Sequence, residues 1–239
     1  MPTPYSLPIA TRRDETPVDR TFSFRVPAGG AEAFRSLPGQ FLTISDPDDE
    51  VRPPRRRAYS LSSAPADVGI LEVTVRDLGE FGMRFFAFEP GKVLEVLPPR
   101  GKFTLAEGGD DVLLLAAGSG VTPFRSFARQ WAATGASRRL TLATSAKVAE
   151  ELVFDREFRA LAGAKPSFRY VPIATREPIG RAFEGRRARI DEDLLRSLVR
   201  DPAATWVYAC GPAPFVTAML DLAAALGVPE ARRKKEAWG

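Results

Sequence analysis

The sequence predicts two domains of different class: an antiparallel β-barrel or sandwich over residues 1–106, followed by an α/β domain with a doubly wound parallel sheet over residues 107–239. The first observation is length, because 239 residues suit two compact units of roughly 100 residues each. The second is a change near residue 107 from short alternating segments to regular strand–helix alternation. The hydrophobic fraction of 44% is typical of globular proteins, so both domains can bury a core.

Short segments of the first half alternate apolar and polar residues between turns that contain glycine or proline, such as Pro38-Gly39. Segments of this length and spacing are typical of an antiparallel barrel or sandwich. One helix is predicted at residues 82–88, because Phe81, Phe85 and Phe88 share a helical face. The predicted strands are residues 21–26, 41–45, 58–62, 71–75 and 93–97.

In the second half, apolar runs alternate with amphipathic helical segments. Residues 112–117 are uninterruptedly apolar, as expected of a strand buried on both faces of a parallel sheet. The alternation predicts a doubly wound parallel sheet, with residues 107–111 as the linker and Gly227 ending the last helix. The other predicted strands are residues 140–144, 168–174 and 206–210, and the predicted helices are residues 123–133, 150–161, 191–199 and the segment that ends at residue 226.

The strongest fact of composition is that the chain has no histidine and one cysteine, Cys210. A Ser-His-Asp triad, a histidine metal site, a disulfide within the chain and a cysteine-ligated cluster are therefore excluded. We expect no metal site, and any redox chemistry must be carried by a bound organic cofactor or by a partner.

The net charge is +4, and the basic residues form three clusters. Solvated surface is the ordinary explanation, and phosphate ligands or an acidic protein partner are the sharper ones. No signal peptide or membrane span is recognisable, so we expect a cytoplasmic protein without membrane insertion. The clusters are Arg52, Arg55, Arg56 and Arg57; Arg181, Arg186, Arg187 and Arg189; and Arg232, Arg233, Lys234 and Lys235.

The first motif with chemical meaning is Gly118-Ser119-Gly120-Val121-Thr122-Pro123, directly after the first predicted parallel strand. Glycines let the backbone turn tightly and approach a ligand closely. Thr122 is expected to cap the next helix and Pro123 to take its first position. The helix N-terminus then offers N–H groups to a pyrophosphate. The motif lacks the last glycine of G-x-G-x-x-G. The prediction of a dinucleotide site therefore depends largely on its position between the first parallel strand and the next helix.

Two further motifs stand in the two halves. In the segment 57–63, Arg57 and Tyr59 share one face of a strand and Ser60 the other, which can place a cation, a ring and a hydroxyl around a ligand. The alternative is an ordinary strand with an exposed arginine. Residues 208–212 lie at the C-terminal end of the fourth parallel strand, and such strand ends line a ligand crevice. The alternative for Cys210 is a small buried apolar residue.

In order and spacing, the three motifs resemble those of the ferredoxin–NADP reductase superfamily over nearly the whole chain, from about Phe22 onward. The resemblance implies a flavin-binding barrel domain over residues 1–106 and an NAD(P)-binding domain over residues 107–239. The matching motifs are Arg57-x-Tyr59-Ser60-x-x-Ser63 for the flavin signature, Gly118-x-Gly120-x-x-Pro123 for the dinucleotide loop, and Cys210-Gly211-Pro212 for the nicotinamide-end turn.

The resemblance implies a role for each matching residue. Arg57 would pair with flavin phosphate, Tyr59 would pack against the isoalloxazine or bond the ribityl chain, and Ser60 would hydrogen-bond flavin N5. Cys210 would lie near nicotinamide C4. The predicted catalytic residues are Ser60, Cys210, Glu236 and Trp238. The predicted cofactor-binding residues are Arg57, Ala58, Tyr59, Ser60, Gly79, Gly82, Gly118, Gly120, Val121, Thr122, Pro123, Ser145, Lys147, Cys210, Gly211, Pro212 and Trp238.

Two positions, one in the barrel half and one at the C-terminus, bear on the flavin. The family often has G-x-x-S at the start of the short barrel helix, and here Gly82 stands in the serine position, which leaves FAD as the expected flavin with FMN as the alternative. The ending Glu236-Ala237-Trp238-Gly239 resembles the Glu-x-aromatic ending of some members, in which the aromatic covers the flavin and the glutamate assists proton supply. A frayed tail with a surface tryptophan is the alternative.

Either NADPH or NADH can serve as co-substrate, and the residues favour NADPH modestly. The second parallel strand ends at Ser145-Ala146-Lys147 without the acid that NAD-specific sites commonly place there. Ser145, Lys147 and Arg176 can instead contact a 2′-phosphate. The alternative is that both cations are ordinary loop residues facing solvent.

The function implied is a flavin-dependent NAD(P)H oxidoreductase that passes electrons through flavin N5 to a separate redox protein. The partner would be acidic, such as ferredoxin, flavodoxin or an oxygenase component, and a stand-alone reductase without an iron–sulfur domain is expected. One alternative is reduction of free flavin or a small acceptor. Another is a non-catalytic module that binds a dinucleotide or a nucleic acid. Nucleic-acid binding is disfavoured because the predicted barrel lacks an obvious set of exposed aromatic residues for base stacking. The oligomeric state stays open.

Overall fold

The structure, a computed structural model, describes residues 3–51, 53–135 and 137–238, so Arg52 and Gly239 of the sequence analysis lie outside the described residues. The chain divides into two compact units. The barrel unit comprises Met1–Leu105 together with Arg125–Ala133, and the parallel-sheet unit comprises Ala106–Phe124 together with Thr134–Gly239. The division into a flavin-binding domain over 1–106 and an NAD(P)-binding domain over 107–239 stays a prediction.

The barrel unit is built on six antiparallel strands in the order β4-β3-β6-β1-β2-β5. A bridge between Leu61 and Val73 joins the continuation of β4 to β5, so the two ends of the sheet meet and the barrel prediction is confirmed. The strands are β1 Tyr5–Thr16, β2 Asp19–Arg25, β3 Phe41–Ser45, β4 Arg56–Ser60, β5 Ile70–Arg76 and β6 Val93–Arg100.

The longest strand of the barrel, β1, is absent from the sequence prediction. Only Leu7, Ile9 and Thr16 are buried along its twelve residues, so the strand has no continuous apolar alternation. Backbone pairing holds it instead, with β6 over its first residues and with β2 over the rest. A polar strand between two neighbours is invisible to a pattern that counts apolar residues.

The barrel core packs against one short helix, α1, Gly79–Phe86. The helix begins three residues earlier than predicted, and it ends before Phe88. Phe85 is fully buried, with its ring centroid 4.8 Å from that of Phe22 and 5.3 Å from that of Tyr59. These aromatic contacts fix α1 on the barrel.

The parallel-sheet unit has five parallel strands in the order β11-β10-β7-β8-β9. The order reverses between β7 and β10, which is the switch point of a doubly wound sheet and confirms the second fold class. The strands are β7 Val112–Ala117, β8 Leu140–Ala146, β9 Phe168–Ala174, β10 Trp206–Pro212 and β11 Arg233–Trp238, and the helices are α2 Thr122–Thr134, α3 Asp155–Ala164, α4 Glu192–Leu198 and α5 Ala213–Ala225.

The predicted continuous helix at residues 150–161 is wrong. A 3₁₀ turn at Ala149–Glu151 is followed by a buried segment that ends in a turn, and α3 begins only after Phe154. Phe154 has a φ of 62°, the left-handed region that few non-glycine residues adopt. Its side chain is 5% exposed and packs on Phe158, so burial offsets the backbone strain.

The C-terminal residues form strand β11 rather than a frayed tail, which was the alternative to a functional ending. The strand lies at the edge of the sheet and carries three consecutive cations, Arg233, Lys234 and Lys235. Lysines at an edge strand are common because they oppose pairing with another chain. At the preceding turn, Gly227 follows α5 with a φ of 88°, as its sequence position predicts. No helix within the described residues is long and apolar enough to cross a membrane.

Candidate functional site

The switch point of the parallel sheet brings two of the predicted motifs into backbone contact. A Cβ atom on Gly120, in the turn after β7, would lie 2.2 Å from the carbonyl oxygen of Cys210, at the end of β10. A Cβ atom on Gly211 would lie 3.1 Å from that of Ala117. Only glycine fits at Gly120, and this close packing shapes the crevice beyond the carboxyl ends of β7 and β10.

The entry into α2 differs from the prediction that Thr122 is the capping residue. A 3₁₀ turn at Gly118–Val121 runs directly into the helix, so Thr122 is already helical and its hydroxyl donates to the carbonyl of Ser119 at 2.6 Å. The helix starts without a side-chain cap, and Pro123 lies in its first turn. N–H groups at an uncapped helix start suit an anion.

The third motif and the C-terminal residues are neighbours across β10 and β11. Cys210 is opposite Glu236 in the ladder, and its thiol donates to the Glu236 carboxylate at 3.9 Å. Cys210 is fully buried. Burial first, and the Glu236 charge second, raise the pKa of the thiol well above its usual value, so Cys210 stays protonated. Trp238 is opposite Pro212 and is 38% exposed.

At the end of β8 the predicted residues remain near the surface. Ser145 is half-buried, and Lys147 and Arg176 are exposed. The backbone N–H of Arg176 donates to the carbonyl of Lys147 at 2.7 Å, so the structure brings the two cations onto adjoining loops. Within the described residues, neither cation forms a salt bridge.

Sequence reasoning missed Glu177, a buried acid on the loop after β9. Its side-chain Oε2 accepts the N–H of Ala149 at 2.6 Å, and the residue is 8% exposed. The sequence prediction of donor preference considered an acid only at the end of β8. The adjacency of Arg176 and Glu177 directly after a predicted parallel strand was the signal available in the sequence.

The flavin-type motif lies on β4 of the barrel unit. Arg57 and Ala58 are exposed, and Tyr59 and Ser60 are half-buried. Arg57 donates to the carbonyl of Arg56 at 3.0 Å and, within the described residues, forms no salt bridge. Tyr59 packs edge-on against Phe85, and burial raises the pKa of its hydroxyl.

The neighbouring Arg55, unlike Arg57, forms ion pairs within the described part of the barrel unit. It forms ion pairs with Asp49 at 2.8 Å and with Glu80 of α1 at 2.6 Å, and so ties the loop before β4 to the helix. The Arg55 guanidinium holds the pKa of the Asp49 carboxyl below its usual range. The arginine cluster therefore divides into a structural cation and an exposed one.

The start of α1 explains the glycine where the family often has serine. Helix α1 begins at Gly79, and Leu78 before it supplies no side-chain cap. A Cβ atom on Gly82 would lie 2.9 Å from the carbonyl oxygen of Arg76. A serine at this position would therefore require the backbone to move, whereas the N–H groups of the first turn remain able to meet an anion.

Arg125 is a second residue that sequence reasoning missed. Its guanidinium is 5% exposed and pairs with Glu72 of β5 at 2.6 Å, and Nη1 lies 3.4 Å from the carbonyl oxygen of Ser62. Arg129 lies 3.4 Å from the same carboxylate. A buried cation amid the apolar residues of α2 needs such a partner.

Comparisons with known proteins agree with this geometry. Residues 114–221 match the family described as the oxidoreductase NAD-binding domain. The chain is similar to the FAD/NAD-binding domain of nitric oxide dioxygenase from Vibrio cholerae, with a TM-score of 0.86 and 22% identity over all of both chains. It is also similar to a ferredoxin NADP⁺ reductase from Neisseria gonorrhoeae, with a TM-score of 0.83 and 23% identity over 99% of both chains. These two likenesses show that the chain has the fold of those flavin- and nicotinamide-binding proteins.

Among curated proteins, the chain is similar to the ferredoxin reductase component of 3-ketosteroid-9-alpha-monooxygenase from Rhodococcus rhodochrous. The two are 30% identical over 97% of this chain and 64% of the relative. Across the first curated relatives, this chain spans between 59% and 66% of their length.

Proposed function

We propose that the chain belongs to the ferredoxin–NADP reductase superfamily and is a flavin-dependent NAD(P)H oxidoreductase that delivers electrons to a separate redox protein. The observation that carries the proposal is the switch-point cradle, in which Gly120 has no room for a Cβ atom beside the Cys210 carbonyl and α2 starts without a side-chain cap. A cradle without room for a Cβ atom suits the close approach of a dinucleotide pyrophosphate.

On the dinucleotide side, the chain's own groups bind and orient. Backbone N–H groups of Gly118–Val121 and the first turn of α2 hold the pyrophosphate. Cys210 and Gly211 form the wall at the nicotinamide end, where a protonated thiol adds no charge to the crevice. Glu236, within reach of that thiol, can hold or accept a proton.

On the flavin side, Arg57 supplies an exposed cation for a phosphate, and the start of α1 supplies backbone N–H groups. Tyr59, held edge-on by Phe85, offers a fixed ring. We expect FAD, with FMN as the alternative outcome. Bound flavin would accept two electrons from reduced nicotinamide and release them singly to an acceptor. The roles of Ser60 at flavin N5 and of Trp238 over the ring face stay predictions from the sequence.

The acceptor is proposed to be an acidic redox protein. Relatives are named as ferredoxin reductase component, stachydrine N-demethylase reductase subunit and glycine betaine monooxygenase reductase subunit, and each name describes one part of a system with separate components. A net charge of +4 favours association with an acidic partner. The single reduced cysteine agrees with a cytoplasmic setting.

Purification followed by cofactor analysis tests the proposal. Protein purified in air should be yellow, and the released flavin should be FAD. Arg57→Ala should lose flavin while Arg56→Ala, an equally exposed arginine on the other face of β4, keeps it. A mutant that keeps its full flavin content would refute the role of Arg57.

Turnover measurements then separate the two enzymatic functions. NADPH oxidation that needs a ferredoxin or another acidic redox protein supports a reductase component. Equal turnover with free flavin alone would favour reduction of a small acceptor. We expect kcat/KM to be modestly higher with NADPH than with NADH.

A further inference from the structure

The loops that follow β8 and β9 remain joined beyond the ends of the two strands. Thr175 N–H donates to the Ala146 carbonyl at 3.0 Å, and Arg176 N–H donates to the Lys147 carbonyl at 2.7 Å. Here the ladder continues through the residues at the adenosine end of the proposed dinucleotide site.

A third hydrogen bond between the two loops is made by the side chain of Glu177. Its Oε2 accepts the N–H of Ala149 at 2.6 Å, at the start of the 3₁₀ turn Ala149–Glu151. A carboxylate that is 8% exposed is stable only when its charge is hydrogen-bonded. The other face of the Glu177 loop is held by Arg187, which donates to the Pro178 carbonyl at 3.0 Å.

The consequence of these bonds is that the backbones of two cationic residues are kept side by side. Lys147 and Arg176 are exposed on adjoining loops and, within the described residues, neither pairs with a carboxylate. Adjacent cations repel each other and would separate if the loops could move. Two cations held together at the end of a strand form a place for a doubly charged anion.

We propose that Glu177 is a positioning residue for donor specificity: by fixing Ala149 and the loop before it, Glu177 keeps Lys147 and Arg176 in place for the 2′-phosphate of NADPH. The inference rests on the proposed function, and it assigns to Glu177 no contact with the donor. The competing role for an acid here is to accept hydrogen bonds from the ribose hydroxyls of NADH. The bond to Ala149 already engages the Glu177 carboxylate, which favours the positioning role.

Three variants of the purified flavoprotein test this inference. Glu177→Ala removes the bond, Glu177→Gln keeps an acceptor oxygen for Ala149 without the charge, and Glu184→Ala is a control, since the Glu184 side chain is 97% exposed on the same loop. Steady-state kinetics with both donors and calorimetry with 2′-AMP and 5′-AMP are the measurements.

Glu177→Ala should lower the ratio of kcat/KM for NADPH to that for NADH by about tenfold, through a higher KM for NADPH, with NADH kinetics and kcat unchanged. Binding of 2′-AMP should weaken and that of 5′-AMP should not. Glu177→Gln should recover most of the ratio, and Glu184→Ala should equal wild type.

A Glu177→Ala ratio within twofold of wild type would overturn the inference, and so would an increased ratio, which would instead make Glu177 the ribose acid of an NADH site. Failure of the proposed function is a different result: wild type would bind no flavin and oxidise neither donor. In that case the 2′-AMP measurement still tests Glu177: weaker binding by Glu177→Ala than by wild type supports the inference, and equal binding overturns it.

Discussion

The contact between Gly120 and the Cys210 carbonyl gives the sharpest prediction for the crevice. The substitution Gly120→Ala would place a methyl carbon 2.2 Å from that oxygen and 2.9 Å from the Cα atom of Gly211. Both neighbours are backbone atoms, so no side-chain rotation relieves the clash. A comfortable separation is about 3.5 Å, so the two turns must part by roughly 1 Å.

Moving packed backbone in this way is costly to both stability and binding. Overpacking of a tight site costs about 1–3 kcal/mol, which we expect to appear as a lower free energy of unfolding for the parallel-sheet unit. The N–H groups that would hold the pyrophosphate move with the turn, so affinity for NADP⁺ should fall at least about tenfold. Thermal unfolding and calorimetric titration with NADP⁺ measure the two effects.

The matched control is Gly163→Ala in α3. A Cβ atom on Gly163 meets nothing within 4 Å, and alanine in a helix is favoured over glycine by about 0.5–1 kcal/mol. Gly163→Ala should therefore raise the melting temperature and leave NADP⁺ affinity unchanged. If Gly120→Ala has the melting temperature and NADP⁺ affinity of wild type, the switch-point turn is not the binding element.

Three further predictions concern single groups. Arg125→Met should cost about 3 kcal/mol in denaturant unfolding, the low end for a broken buried pair because Arg129 stays near Glu72; a loss below about 1 kcal/mol would contradict the pairing. Because the pKa of Asp49 is lowered in the folded state, its ionised carboxylate stabilises the fold. This contribution is complete above the unfolded-state pKa of about 4 and is lost as the pH falls toward the pKa of the folded state. Melting temperatures should therefore fall more steeply from pH 5 to pH 2 in wild type than in Asp49→Asn. The buried, protonated thiol of Cys210 should resist a thiol reagent at pH 8 in native protein and react after denaturation, and rapid native labelling would contradict its burial.

The strands that the sequence predicts best are those whose burial leaves a simple pattern. Residues 112–117 match β7 without a shift because both faces of that strand are covered. The edge strand β11 has no apolar pattern, since one side of it faces solvent, and β1 is similarly polar. Phe154 was unpredictable for a different reason: its left-handed backbone is stabilised by tertiary burial, which local propensity does not contain.

For the candidate site, residues that are close in sequence were predicted and residues brought together by pairing were not. The glycine turn after β7 follows from local backbone chemistry. The contact of Cys210 with Glu236 depends on the register of β11 against β10, and no local pattern specifies that register. Glu177 was missed because its partner, Ala149, lies on another loop.

The measurement that tests the central claim most directly is an anaerobic titration of the purified protein with NADPH, followed by visible absorbance. The account predicts a yellow protein with stoichiometric FAD, whose visible absorbance is bleached by NADPH and restored when an oxidised acidic redox protein is added. A colourless protein that does not take up added FAD or FMN, or a flavoprotein whose colour neither NADPH nor NADH changes, would contradict it.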